Sequence, residues 1–307
     1  MCPQFVDFDA DGHLDIVTAT YDGSPHVALG SATGFQKPAR ILDASGDRVM
    51  LGQYWCYETT KWERTDEDHC VSAAAFDWDG DGDLDLLLGA KEGKLFVRIN
   101  DGTAQAPKFR AENQRVMAAG QPLTVPGGLT APRLVDWDED GLTDLVCGSF
   151  AGGAYLYRNA GKAGAPQFAG AETLIEPDSK AGQNTPSSGC YADPVDVDGD
   201  GDLDLLVGGY ANWTPAPRIL TEQERMELAE MRVKNAEVQA QWMELYKAHQ
   251  KGAEGLPRAE ATQRQQKWLA TEEVRNLRQQ LTDFRNKFEE YEPSAKRRAG
   301  VWLYERQ

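Results

Sequence analysis

Four stretches of this 307-residue chain set aspartates at positions 1, 3, 5 and 9 of a short loop, with glycine at position 6. They read DFDADGHLD from Asp7, DWDGDGDLD from Asp77, DWDEDGLTD from Asp136 and DVDGDGDLD from Asp196. Carboxylates packed this densely repel one another unless a cation lies among them. A hard ion that takes roughly six to eight oxygen ligands suits such a loop, so Ca²⁺, about four ions per chain, is the expected cofactor. Glycine at position 6 lets the backbone turn until the carbonyl of position 7 can face the ion. An EF-hand would add a bidentate glutamate at position 12 and a helix on each side. Position 12 here is Thr18, Leu88, Cys147 or Val207, inside short apolar runs that end near glycine and read as strands. The EF-hand is rejected.

The elements that must position these loops repeat with them. First aspartates fall at 7, 77, 136 and 196, and a period of that size with several short strands per unit signals a propeller or a related array. In each unit a first strand enters the loop and a second leaves it. A glycine turn leads to a third, clearest in GKLFVRIN and GAYLYRNA, and parallel turns (NDGTAQAPKF, NAGKAGAPQF) lead to a fourth.

On these loops and on the N-x-G-x-x-x-x-P-x-F turns, the chain resembles the FG-GAP/VCBS repeat proteins, among them integrin α-subunits and bacterial secreted calcium-binding β-propellers. The likeness spans nearly all of residues 3–210 and the last eight residues. It implies an all-β fold, a small propeller of about four four-stranded blades; the spacing set out below adds an α-helical hairpin (an antiparallel coiled coil) inserted in the last blade. The expected division is 1–218 for the blades, 219–297 for the hairpin and 298–307 for a closing strand. The resemblance also implies the metal ligands. Side chains come from Asp7, Asp9, Asp11 and Asp15; Asp77, Asp79, Asp81 and Asp85; Asp136, Asp138, Asp140 and Asp144; and Asp196, Asp198, Asp200 and Asp204. Carbonyls come from His13, Asp83, Leu142 and Asp202. The repeat type does not specify an activity.

Charge agrees with metal loops. The formal charge is −17, and the loops alone hold sixteen ligand carboxylates. Four Ca²⁺ would bring the net to about −9. Nucleic acid is excluded as a partner, since phosphate binding needs a positive face. No stretch reaches the roughly 20 apolar residues of a membrane span. The sequence opens almost directly on the first repeat, which is read as a form whose export signal has been removed. Sites of this kind fill where calcium is millimolar, and a secreted, extracytoplasmic location is expected. Of five cysteines, Cys147 reads as a buried thiol. Cys56 and Cys70 bracket a polar insertion that a disulfide would staple, and Cys2 and Cys190 either close the ring or stay free.

Between the second and third strands of the last repeat the composition turns to Glu, Gln, Arg, Ala and Leu. Thr221 with Glu224 forms a capping box. Met226, Ala229, Val233, Ala236, Ala240 and Met243 then follow 3-4 spacing and read as the seam of one helix. After KGAEGLP (residues 251–257) the pattern resumes through Ala270, Val274, Leu277, Leu281, Phe284, Phe288 and Tyr291. The hairpin either packs on the propeller and covers a surface, or is a protruding arm for a partner or for self-association. Propeller topology puts the link between repeats 1 and 2, with Trp55, Tyr57, Trp62 and His69, on the face away from the metals. These aromatics form either a ligand face or the packing of a long loop.

The leading expectation is a non-catalytic binding or scaffolding module for an unidentified protein or carbohydrate. The alternatives are a calcium-dependent carbohydrate-active enzyme or lectin, and an assembly component that uses the hairpin as connector. The chain has four histidines and no G-x-S-x-G or H-E-x-x-H motif, which argues against an enzyme.

Overall fold

The computed structural model describes residues 3–63, 68–178, 182 and 184–306. The chain divides into two compact units, Met1–Trp213 with Arg297–Gln307, and Thr214–Lys296. Among the described residues the protein is mostly β, with six sheets of antiparallel strands and three helices; no sheet closes on itself.

The first unit is a series of meanders. Strands β1 (Gln4–Val6), β2 (Asp15–Ala19), β3 (Pro25–Ala28) and β4 (Ala39–Arg40) pair in chain order. A small hairpin, β5 (Tyr54–Cys56) and β6 (Lys61–Glu63), stands in the link that follows. The second sheet runs β7 (Cys70–Phe76), β8 (Asp85–Ala90), β9 (Leu95–Arg98) and β10 (Gln114–Arg115). A two-stranded ribbon, β11 (Met117–Ala118) and β12 (Gln121–Pro122), precedes the third sheet: β13 (Ala131–Val135), β14 (Asp144–Gly148), β15 (Ala154–Tyr157) and β16 (Glu172–Ile175). The fourth has three strands, β17 (Ser188–Val195), β18 (Asp204–Trp213) and β19 (Lys296–Tyr304). No fourth strand completes this sheet among the described residues: residues 217–220, which precede the helices, form no strand, and Ile219 is 93% exposed.

Alternation along the second strands explains how the sheets stack. In β2, Val17 and Ala19 turn toward the second sheet and meet Ala73, Ala75, Leu86 and Leu88. Leu87 and Leu95 turn the other way, onto Leu145, Cys147 and Tyr157. Val146 and Leu156 then meet Ala192, Leu205 and Val207. A period of two lets one strand serve two apolar interfaces, which is why β8 and β14 are buried along their whole length.

The N-x-G turns are fixed by their asparagines. Asn100 Oδ1 accepts from the amides of Gly102 (2.9 Å) and Lys108 (2.7 Å), and Asn159 Oδ1 from those of Gly161 and Gln167 (both 3.0 Å). Each turn drops its phenylalanine, Phe109 or Phe168, into an inter-sheet core.

The second unit holds α1 (Glu222–Lys251), α2 (Arg258–Leu269) and α3 (Glu272–Tyr291). Thr221 and Glu224 form the expected reciprocal cap. The second arm is longer than its periodicity showed. Residues 258–269 are helical, with Trp268 and Leu269 as the large apolar residues among Gln, Arg and Lys, so no pattern marks them. The seam of α1 also needs correction. Leu228 and Val238 are buried and Met231, Asn235, Trp242 and Leu245 half-buried, whereas Met226, Val233 and Met243 are exposed. On α3 the seam is the expected one, with Val274 and Leu277 buried and Leu281, Phe284, Phe288 and Tyr291 half-buried.

Cys56 and Cys70 do not pair. Both are free thiols: Cys56 Sγ donates to Glu58, and Cys70 lies buried in β7 among the first core residues. Burial pushes the Cys70 and Cys147 thiols up to about 12. Cys2 lies outside the described residues.

A chain in which a short glycine-serine linker replaces residues 214–296 is expected to keep its β-rich circular dichroism and a cooperative melt. Loss of the β signal would mean that the two units fold only together.

Candidate metal centres

Each aspartate loop is built by its own backbone before any ion is considered. The position-1 carboxylate accepts two loop amides: Asp7 from Asp11 and Gly12, both at 3.0 Å, and Asp136 from Asp140 (3.1 Å) and Gly141 (2.9 Å). Asp77 and Asp196 do the same with Gly80 and Gly82, and with Gly199 and Gly201. The turn needs left-handed backbone twice. Position 6 is glycine in every loop (φ 86 to 100°), but position 4 is Gly80 and Gly199 in two loops and Ala10 (φ 55°) and Glu139 (φ 60°) in the others.

The position-9 aspartates do something the sequence did not reveal. Asp15, Asp85, Asp144 and Asp204 are at most 2% exposed. One oxygen of each accepts the position-2 amide, from Phe8 (2.7 Å), Trp78 (2.8 Å), Trp137 (3.1 Å) and Val197 (3.1 Å). The other accepts an amide just beyond the third strand, from Gly30 (2.6 Å), Asn100 (2.7 Å), Asn159 (2.7 Å) and Arg306 (3.0 Å). One carboxylate thus ties loop, second strand and third strand together in each of the four larger sheets.

Positions 1, 3 and 9 converge. In each loop one oxygen from each of these three aspartates lies within 4.8 Å of the others. Position 5 is not in that group: Asp11, Asp81, Asp140 and Asp200 turn to the amide two residues on, at 2.8 to 3.0 Å. His13, Asp83, Leu142 and Asp202 occupy position 7 as the spacing requires.

The donor set fits a divalent, oxygen-seeking cation. Asp9 Oδ1, Asp83 Oδ1 and Asp202 Oδ1 are buried without a hydrogen-bond partner, an arrangement that costs free energy unless something positive meets them. Burial first, then the neighbouring aspartates, holds Asp9, Asp83 and Asp202 above the usual carboxylate range. Burial pushes Asp85 up to about 6 and raises Asp144. An all-carboxylate set favours Ca²⁺ or Mg²⁺ over softer metals. The third loop differs: Arg158 Nη1 donates to Asp138 Oδ2 while its Nε donates to Glu172 at 2.8 Å. No motif had marked Arg158, which merely precedes the turn asparagine.

The aromatic insertion also has a definite arrangement. Trp62 lies edge-on to Tyr21 (5.3 Å between ring centres), Trp55 (5.5 Å) and His69 (5.2 Å). Tyr57 stands apart, under the Arg40 guanidinium at 5.4 Å. Beside the cluster a cleft of about 180 Å³ is lined by Thr20, Tyr21, His69, Val71, Leu129, Thr130 and Tyr191. Tyr21, in the turn after β2, and Tyr191, inside β17, escaped sequence reading because each is a lone aromatic outside any motif.

This architecture can be set beside known proteins. Residues 136–207, the third loop through the fourth second strand, match the family model of the FG-GAP-like repeat. The chain carries an FG-GAP-like repeat. No curated protein sequence matches it. Among solved structures it is similar to one describing the specific recognition of non-reducing terminal N-acetylglucosamine by an Agrocybe aegerita lectin, at 16% identity and TM-score 0.37. The alignment covers 68% of this chain and 48% of the lectin, so the chain spans about half of that protein's length. No described helix is long and apolar enough to cross a membrane.

Two outcomes follow for the loops. Ala10→Gly and Glu139→Gly are each expected to raise stability by about 1 kcal/mol in thermal melts, because glycine adopts left-handed backbone without the Cβ clash. A loss of stability would show that these side chains have a further role. Chelation by EDTA is expected to lower the melting temperature, since binding to the folded state contributes about 4 kcal/mol per site at a thousandfold excess over Kd. In EDTA the melting temperature should then recover as the pH falls from 7 toward 5. The folded-state value of Asp85, about 6, lies above its usual 3.8, so stability is lost as pH rises through about 6 and regained below it. Melting curves insensitive to EDTA and to pH would contradict both statements.

Proposed function

We propose that this protein is an extracytoplasmic, calcium-stabilised four-bladed β-propeller that acts as a non-catalytic binding module, with carbohydrate as its ligand class. The observation that carries the calcium reading is the convergence of three carboxylates in each of the four loops, and in the first, second and fourth loops a buried carboxylate oxygen of Asp9, Asp83 or Asp202 has no hydrogen-bond partner. Asp7, Asp9 and Asp15, and their equivalents, would hold the ion, which would supply charge neutralisation to a loop already shaped by its backbone. Calcium of this kind is structural: it braces the joint between first and second strands. Millimolar calcium outside cells supports the location.

The propeller reading is supported by the order of the cores, first sheet to second, second to third and third to fourth. Innermost strands also meet. The Gln4 side chain donates to Ala75 O (3.1 Å) and accepts from Ala75 N (2.6 Å), and Arg133 bridges Pro3 O (3.3 Å) and Asp193 (2.7 Å). The heptad-spaced faces of α1 and α3 support an antiparallel coiled coil.

A carbohydrate ligand is favoured by the cleft lined by Tyr21 and Tyr191, whose rings suit the apolar face of a sugar. The non-catalytic reading rests on the histidines. His26 bonds Thr20 and Ser24, His69 bonds Gln53 O, and His249 stacks on Trp268 at 4.3 Å, so three of the four have structural partners.

A glycan array probed with the calcium-loaded protein and with Tyr21→Ala tests the ligand. Binding should fall at least tenfold in Tyr21→Ala, with an unchanged melting temperature. Binding that survives the substitution, or none to any glycan, would remove the carbohydrate reading. Metal analysis after dialysis stands as a separate check on calcium, with about four ions expected per chain.

A further inference from the structure

Helix α1 has two apolar faces, and the second unit uses one. Leu228, Met231, Asn235, Val238, Trp242, Leu245 and His249 follow 4-3 spacing and are buried or half-buried. Met226, Ala229, Val233, Ala236, Ala240 and Met243 follow the same spacing on roughly the opposite side, since a two-residue offset turns the seam by about 200°. All six are exposed: Met226 by 64%, Val233 by 62% and Met243 by 49%. A stripe of this kind, about 26 Å long, is a coiled-coil seam without a partner helix.

We infer that this face is a dimer seam, and that its occupant is the same face of α1 from a second copy, parallel and in register. The flanking charges select both partner and direction. With Met226, Val233 and Ala240 as a positions and Ala229, Ala236 and Met243 as d positions, the e positions are Glu230, Glu237 and Glu244. The g positions begin with Arg225 and Arg232 and continue with Gln239 and Tyr246. In a parallel pair each g residue faces the e residue five positions on in the other chain. Arg225 then meets Glu230, Arg232 meets Glu237 and Gln239 meets Glu244. An antiparallel pair would oppose glutamate to glutamate along one flank and arginine to a neutral or like residue along the other. Two-fold symmetry doubles each favourable contact, as an isologous interface requires.

The monomer leaves these groups within reach of a partner, Arg225 donating through Nη2 to Leu220 O at 3.1 Å. Glu230, Glu237 and Glu244 are exposed. Arg232 holds Glu292 through Nη2 alone (2.6 and 2.8 Å), so Nη1 and Nε can reach a second carboxylate. β-Branched Val233 at an a position favours two strands, and alanine at two of the three d positions lets the helices approach closely. Parallel pairing brings the Thr221 ends of both copies together. If the chain binds surface glycans as proposed above, that yields two sites on one particle and a gain in avidity. The dimer itself does not depend on that reading.

Light scattering during size exclusion of the full chain, with calcium, is the first measurement. A dimer is expected, and Val233→Glu should weaken it at least tenfold without reducing helical circular dichroism, because the residue is exposed in the monomer. Arg225→Glu alone should weaken the dimer, and Arg225→Glu with Glu230→Arg should restore it. Ala229→Cys and Met243→Cys should each form a disulfide-linked dimer on oxidation, above the background of the unaltered chain. An in-register parallel pair sets each of these positions against itself; an antiparallel pair sets 229 against residues near 240. A monomer at every concentration, a dimer indifferent to Val233→Glu, or failure of both cysteine variants to cross-link would each overturn the inference.

Discussion

One buried carboxylate in each of the four larger sheets organises the first unit. The position-9 aspartate roots each second strand, accepts the loop amide on one oxygen and the amide beyond the third strand on the other. A charge this deeply buried is tolerable only where hydrogen bonds and a counter-charge meet it. The hydrogen bonds are present in all four sheets that carry an aspartate loop. The counter-charge is what the neighbouring aspartates, oxygens turned inward, are arranged to receive. The sheet geometry and the carboxylate cluster that could hold a metal ion therefore share a residue.

From that joint the rest of the unit follows. The clamp fixes where the third strand ends, and Asn100 or Asn159 at that point fixes the turn to the fourth. The turn places Phe109 or Phe168 in the space between sheets. In the last sheet, Arg306 supplies the amide that Asn100 and Asn159 supply elsewhere, although residues 214–295 intervene between β18 and β19, the strand it follows. The same electrostatic joint is thus preserved across a long excursion of the chain.

The excursion obeys a different constraint. Its helices are held by apolar seams and aromatic stacking, with Trp268 against His249 and Trp242, and only scattered ion pairs such as Arg232 with Glu292. Because apolar residues occur on both sides of α1, periodicity alone cannot say which side α3 takes. The packed side carries the bulkier set, Leu228, Val238 and Trp242 among it, which buries more apolar area than the alanine-rich side.

The sequence by itself determined the loops, their repeat, the order of strands around them and the two-armed helical insert. These are set by local chemistry: like charges in register, glycine where the backbone must turn, and the contrast between two-residue and seven-residue periods. Tertiary structure alone decided that Asp15, Asp85, Asp144 and Asp204 are structural clamps, since their amide partners lie up to about a hundred residues away. It alone placed Arg158 on Asp138, gathered Tyr21 with Trp62, kept Cys56 apart from Cys70 and chose the seam of α1. Each depends on which of several compatible surfaces come together. Spacing along a chain constrains that choice without making it, because burial rewards total area and not sequence pattern.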